Sequence, residues 1–218
     1  MLQKNELIKF CHKVHEEGFV AATDGNLSLR MPDGTIFITA SGKRKGDITS
    51  DDICHTTLGG ELLFSKKKYS TESKLHFHIY KNRPEINAVI HCHPPTATAF
   101  ASSNKTLDLP VLPEIILTLG RIPLCQYATP STDAVHNSLN DAIGYANVFL
   151  LQNHGAVAIG RTIEEAYNRM EKLEHYAKVM MNAEQLGGAK QLSREQIEEL
   201  YRLAPVVYGV TIDARNRY

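Results

Sequence analysis

The stretch Ile86-Asn87-Ala88-Val89-Ile90-His91-Cys92-His93-Pro94-Pro95 limits the fold more than any other part of the chain. Its apolar run is stopped by two prolines, and residues 86–92 are therefore predicted to form a strand. Successive side chains of a strand point to opposite faces, so His91 and His93 share a face and Cys92 takes the other. Two imidazoles so spaced can grip one metal ion. A catalytic zinc site needs a third protein ligand and keeps a further position open for water or substrate. His154, in the tight turn Asn153-His154-Gly155 directly after another strand-like run, is the best third ligand. Against this stands the chance occurrence of His-x-His on strands in a chain with ten histidines. His76 and His78, two apart on a helix, face different directions. Cys92 reads as a small core residue.

Around that strand the patterns alternate between helices and hairpins. Residues 2–17 carry Leu2, Leu7, Ile8, Cys11, Val14 and His15 at helical spacing, and Gly18 ends the run. Strands are expected at 27–30 and 36–39, turning at Pro32-Asp33-Gly34, and a second hairpin at 53–57 and 61–64 around Gly59-Gly60. Helices are expected at 71–82, 94–102 and 132–144, and strands at 148–152 and 156–159. The longest helix covers 162–186 until Gly187-Gly188 stops it. A last helix starts at Ser193, where Gln196 completes a capping box. Such an order suggests a mixed or mostly antiparallel sheet covered by helices. The strand order cannot be read.

The chain has 218 residues with no repeat or linker, which favours one domain over 1–218. Lys plus Arg and Asp plus Glu both total 24, so the basic excess of a nucleic-acid binder is missing. Any attraction for a phosphorylated small molecule must be local. No apolar run approaches the roughly twenty residues that cross a bilayer. The amphipathic start MLQKNELIKFCHKVHEEG lacks the features of a signal peptide, and four scattered cysteines fit free thiols in a reducing cytoplasm.

Several polar positions admit two readings. In Ser70-Thr71-Glu72 the local sequence favours ordinary helix-start chemistry, with Ser70 as cap and Glu72 offsetting the positive helix end. The alternative has the hydroxyls and N–H groups hold a phosphate while Glu72 faces the metal as a base. The turns at 23–28 (TDGNLS) and 39–42 (TASG) expose backbone donors that can bind an anion, although most such turns only reverse the chain. Lys43, Arg44 and Lys45 read first as a solvated loop. Glu114, between Pro113 and Ile115, is either a helix-start glutamate or a carboxyl in an apolar pocket with a raised pKa, able to exchange protons.

Together GNLSLR at 25–30, TASGK at 39–43, STES at 70–73 followed by His76, HCH at 91–93, RIPLCQYATP at 121–130 and LLQNHGAVAIG at 150–160 resemble the class II aldolase/adducin-type family, closest to the L-fuculose-1-phosphate aldolase group. The resemblance spans nearly the whole chain. It implies a three-layer α/β/α domain with a mixed, mostly antiparallel sheet, and a zinc ion on His91, His93 and His154 with Glu72 near or on it. It implies a phosphate pocket of Gly25, Asn26, Ser41, Gly42, Ser70 and Thr71. It also implies a four-fold symmetric homotetramer whose active sites lie between subunits, and the apolar character of 109–124 is consistent with packing there. The expected reaction is reversible cleavage of a phosphorylated ketose to dihydroxyacetone phosphate and a small aldehyde, with Glu72 and Glu114 as the proton-transferring groups.

The sequence departs from the fuculose-phosphate pattern near Glu114, where that group has a tyrosine. A glutamate resembles rhamnulose-phosphate aldolases and methylthioribulose-phosphate dehydratases. Pentulose-phosphate 4-epimerases typically carry Asp where Glu72 stands, and a sugar-acid decarboxylase is a further sibling. Adducin-like modules lose the metal ligands, whereas all three histidines are present here. The aldolases also bring a C-terminal tyrosine to the active site, for which Tyr208 and Tyr218 are both available.

Overall fold

The computed structural model describes residues 2–65 and 67–218. In chain order the regular elements are α1 (Leu2–Glu16), β1 (Asn26–Arg30), β2 (Ile36–Thr39), β3 (Ile53–Thr56), β4 (Leu62–Phe64), α2 (Ser73–Asn82), β5 (Ala88–Cys92) and α3 (Pro95–Ala101). They continue with α4 (Pro113–Thr118), β6 (Leu124–Cys125), α5 (Asp133–Asn137), β7 (Val148–Leu151), β8 (Gly155–Gly160), α6 (Ile163–Gln185) and α7 (Arg194–Val207). The eight strands form one sheet in the order β4-β3-β2-β1-β5-β8-β7-β6. Every pairing is antiparallel except that of β6 with β7.

Helices cover both faces, which makes the expected three layers. Ala88, Ile90 and Cys92 of β5 and Ala156 and Ala158 of β8 join residues of α1, α3 and α6 in one core. Val89, Val157 and Ile159, one residue out of step, pack with Leu75, Phe77 and Ile79 of α2 and Val135 of α5 in the other. The period of two therefore decides which layer each residue meets. Strands covered on both sides are apolar throughout, and β5, β7 and β8 are buried along their whole length.

The long helix stops where expected: Gly188 N–H donates to Ala183 O, with Gly187 and Gly188 at φ 104° and 109°. The Ser193/Gln196 capping box is formed in full. Two expectations need correction. The helix expected over 132–144 ends at Asn137, because the Ser138 hydroxyl takes the Val135 carbonyl and Asn140 N–H turns back to Asn137 O. The helix expected from 71 starts at Ser73, after a turn at 70–72 closed by Ser73 N–H on Ser70 O. Within 109–124, Ile115, Leu119 and Ile122 join the larger core and Ile116 and Leu117 meet α7, while Leu124 stays 42% exposed.

Glu174 of α6 is 2% exposed, yet its carboxylate accepts from Thr96 N–H at 3.1 Å and Ala97 N–H at 2.9 Å. It closes the start of α3 directly after His93-Pro94, where orphan helix donors meet a negative charge. Glu174→Ala should cost about 3 kcal/mol, since stranding a buried donor costs about 1–3 kcal/mol. A urea unfolding midpoint within error of wild type would deny this cap its structural weight.

Candidate metal centre

The sheet register builds the site. His91 is the fourth residue of β5 and lies opposite Asn26 of β1 on one side and Val157 of β8 on the other. His93 leaves the strand end with its N–H on Phe19 O. His154 sits between β7 and β8 behind Asn153, whose φ of 55° is a left-handed turn that asparagine tolerates. Two close approaches permit the crowding. At Gly155 a Cβ would sit 2.5 Å from the His93 ring, and at Gly25 (φ 73°) it would sit 2.8 Å from His91 O.

His91, His93 and His154 each offer a nitrogen, and these atoms all lie within 4.8 Å of one another. The His91 Nδ1 must donate to the Ala156 carbonyl at 2.9 Å, which leaves the Nε2 lone pair facing the cluster. The Nε2 atoms of His91 and His93 are 3.3 Å apart. That separation matches the edge of a tetrahedron whose metal–nitrogen bonds are about 2.0 Å. The donor set therefore fits a divalent ion. Cys92 faces the opposite core, as the alternation requires.

Glu72 is the correction with the largest consequence. It occupies the N-cap position of α2 without capping it. One carboxylate oxygen lies 3.1 Å from His154 Nε2, and the other accepts from Asn26 Nδ2 at 2.9 Å and lies 3.5 Å from His91 Nε2. Burial alone would raise its pKa. The His154 contact, the neighbouring His91 and His154 rings and the Asn26 amide offset this and hold the carboxyl well below its usual range. Desolvation pushes the imidazoles of His91 and His93 down, His93 to about 4. Neutral imidazoles are the form that binds metal.

The three polar turns converge beside this centre. Asn26 Nδ2 reaches Ser70 Oγ at 3.4 Å, Ala40 bridges Tyr69, and Ser41 N–H donates to Lys68 O. Gly25 adjoins Asn26, while Ser41, Gly42 and Thr71 stay exposed. Lys45 is not in a solvated loop. It is 1% exposed, and its ammonium donates to Thr23 O and Lys43 O, tying the first two turns together. A cleft of about 520 Å³ opens beside Ser70 and Thr71. A larger hollow of about 610 Å³ lies by Arg83 and Arg169, whose guanidiniums are spent on main-chain carbonyls and Glu165.

Glu114 stands apart. It is exposed in the first turn of α4, so the helix-start reading describes it within this chain and the apolar pocket is not found. No hydrogen bond or ion pair among the described residues joins its carboxylate to Glu72 or the three histidines. Tyr218 donates its hydroxyl to Gly120 O, whereas Tyr208 is 57% exposed. Sequence reasoning missed His76 as part of the site. It lies four residues after Glu72, a helical spacing, and its ring meets Asn26 Oδ1 at 2.5 Å.

Comparison with known proteins identifies related chains. The family model described as Class II Aldolase and Adducin N-terminal domain matches residues 5–181. An L-fuculose phosphate aldolase of Methanococcus vannielii is 34% identical over 80% of this chain and 93% of its own. A 3-oxo-tetronate 4-phosphate decarboxylase of Escherichia coli O6:H1 is 32% identical over 81% and 85%. The crystal structure of YgbL, a candidate aldolase/epimerase/decarboxylase from Klebsiella pneumoniae, superposes with a TM-score of 0.83 at 28% identity, over 90% of this chain and 96% of that one.

Acid should destabilise the metal-free protein in a defined window. His76 and His93 have folded-state pKa values of about 3 and 4 against an ordinary 6.5, so the unfolded chain takes up these protons first as pH falls. Their contribution is complete above 6.5 and is lost progressively from there to about 3. Urea midpoints of chelator-treated protein should fall across that range. A midpoint constant from pH 7.5 to 5 would contradict the buried, neutral imidazoles.

Proposed function

The chain belongs to the class II aldolase and adducin family, and from that premise we propose that it is a zinc-dependent aldolase. It reversibly cleaves a phosphorylated ketose resembling L-fuculose 1-phosphate to dihydroxyacetone phosphate and a small aldehyde. The observation that carries this reading is the Glu72 carboxylate set between His91, His154 and Asn26 at the mouth of three polar turns. His91, His93 and His154 would hold one zinc per chain, with Glu72 near or on it. The ion would act there as a Lewis acid toward the oxygens of the bound ketose.

The residues supply the rest. Glu72, kept ionised by its donors, takes a proton from the donor carbon and returns it. The main chain at Gly25 and Gly42, the Asn26 amide and the hydroxyls of Ser41, Ser70 and Thr71 hold the phosphate. Glu114 is exposed on its own subunit, and we place it as the acid for the aldehyde oxygen in the site of a neighbouring subunit of a homotetramer. The whole span 1–218 acts as one cytoplasmic domain, with α7 packed on α4. No helix among the described residues is long and apolar enough to cross a membrane.

A second reading is supported by the decarboxylase relative. Loss of carbon dioxide from a 3-oxo sugar-acid phosphate and retro-aldol cleavage both leave an electron pair on the carbon beside a carbonyl, so one centre suits either. Incubation with dihydroxyacetone phosphate and a panel of small aldehydes separates them. A ketose phosphate product is expected. Release of carbon dioxide from 3-oxo-tetronate 4-phosphate, with no aldol product, would move the assignment to the decarboxylases.

The two carboxylates should behave differently when neutralised. Glu72→Gln should retain zinc and lose about a hundred- to ten-thousand-fold in turnover, together with exchange of the donor carbon proton of dihydroxyacetone phosphate. Glu114→Gln should lose cleavage and keep that exchange. Loss of exchange in Glu114→Gln, or cleavage at the wild-type rate, would show the roles to be wrongly divided.

A further inference from the structure

Behind Asn26 a line of buried polar groups runs away from the metal centre. His76 is fully buried, with Nε2 2.5 Å from Asn26 Oδ1 and Nδ1 2.7 Å from Ser28 Oγ. Ser28, also fully buried, lies 2.7 Å from the Tyr80 hydroxyl. Asn26 joins this line to Glu72 through the 2.9 Å bond from Nδ2. Strand β1 and helix α2 with its leading turn thus share one hydrogen-bonded string whose partners lie about fifty residues apart in sequence.

The direction of every link follows from its end. An ionised carboxylate only accepts, so the atom of Asn26 facing Glu72 is the amide nitrogen, and the carbonyl oxygen faces His76. That oxygen also only accepts, so His76 must carry its proton on Nε2. Nδ1 then has only a lone pair and accepts from the Ser28 hydroxyl. Ser28, having given its proton, accepts from Tyr80, for which Ser28 at 2.7 Å is the nearer partner than Asn87 O at 3.4 Å. A reversed proton at any position would set two donors or two acceptors face to face in a buried site.

We propose that His76, as the neutral Nε2–H tautomer, is a positioning residue that locks the Asn26 amide so that its nitrogen faces Glu72, and that Ser28 and Tyr80 fix this tautomer from behind. Without His76 the Asn26 amide can flip, and a flipped amide sets an oxygen against the Glu72 carboxylate. The proposal rests on Glu72 as the proton-handling group for its kinetic consequence only. Desolvation and the nearby His91 keep the His76 ring neutral, with a pKa of about 3.

The test combines a spectroscopic and a kinetic readout on the zinc-loaded protein. In [15N]histidine-labelled wild type, the His76 signals, recognised by their loss in His76→Gln, should show a protonated Nε2 and a bare Nδ1 throughout pH 6–8. A proton on Nδ1 overturns the proposal, and this measurement holds even if His76→Leu fails to fold. His76→Leu should lower kcat about ten- to a hundred-fold, as misplaced catalytic groups do, with bound zinc unchanged. His76→Gln, whose amide can donate to Asn26 and accept from Ser28, should recover most of that loss. An unaltered kcat in His76→Leu, or no recovery in His76→Gln, also overturns it. Because the tautomer is read without substrate, a wild-type protein that turns over no ketose phosphate overturns the aldolase reading alone.

Discussion

The pairing of β5 with two antiparallel neighbours sets everything else at the centre. It places His91 beside Asn26 on one edge and beside the strand that follows His154 on the other. Because side chains alternate, a slip of one residue would turn Cys92 toward the acidic pocket and bury His91 among the aliphatic residues of α1, α3 and α6. The hydrophobic pattern prevents the slip. Ala88, Ile90 and Cys92 fill one core and Val89 the other, so moving the register would disorganise both layers at once.

Given that register, the polar chemistry is local and nearly self-contained. A chain with no net charge gathers the Glu72 carboxylate, four imidazoles and the Lys45 ammonium close to one another. Each has a partner that justifies its burial: Ala156 O for His91, Asn26 for His76 and Glu72, Thr23 O and Lys43 O for Lys45. A buried polar group without such a partner would cost on the order of a few kcal/mol. The carboxylate of Glu174 extends the same logic outward, fastening the helix that leaves from His93.

What could be read from the chain was what repeats at short range. The strand carrying His91 and His93, the helix at its N-terminus, the long helix of 162–186 and the capping box at Ser193 all declare themselves through spacing within about ten residues. The position of Glu72 did not, because its partners Asn26 and His154 lie far away in sequence, and locally Ser70-Thr71-Glu72 is indistinguishable from a helix start. Lys45 misled for the same reason: a basic triplet reads as solvated until two distant carbonyls are seen to receive the ammonium. The helix over 132–144 failed on competition from the Ser138 hydroxyl, which periodicity does not register. Glu114 was framed by apolar neighbours, but those neighbours turn inward to Leu119 and α7 while the carboxylate turns out.

The distance along the chain between the third imidazole and the first two has a consequence for the order of assembly. His91 is tied to Ala156 sixty-five residues later, and β1 reaches β5 across a comparable span. Contacts of that length form late, since their loops must close before they gain anything. A nascent chain that has β5 but not β8 offers an ion His91, the Cys92 thiol and His93 in one flexible segment, a softer and differently shaped set of donors. An ion held by all three imidazoles could load only after the sheet has closed, and free metal during synthesis would compete with folding rather than guide it.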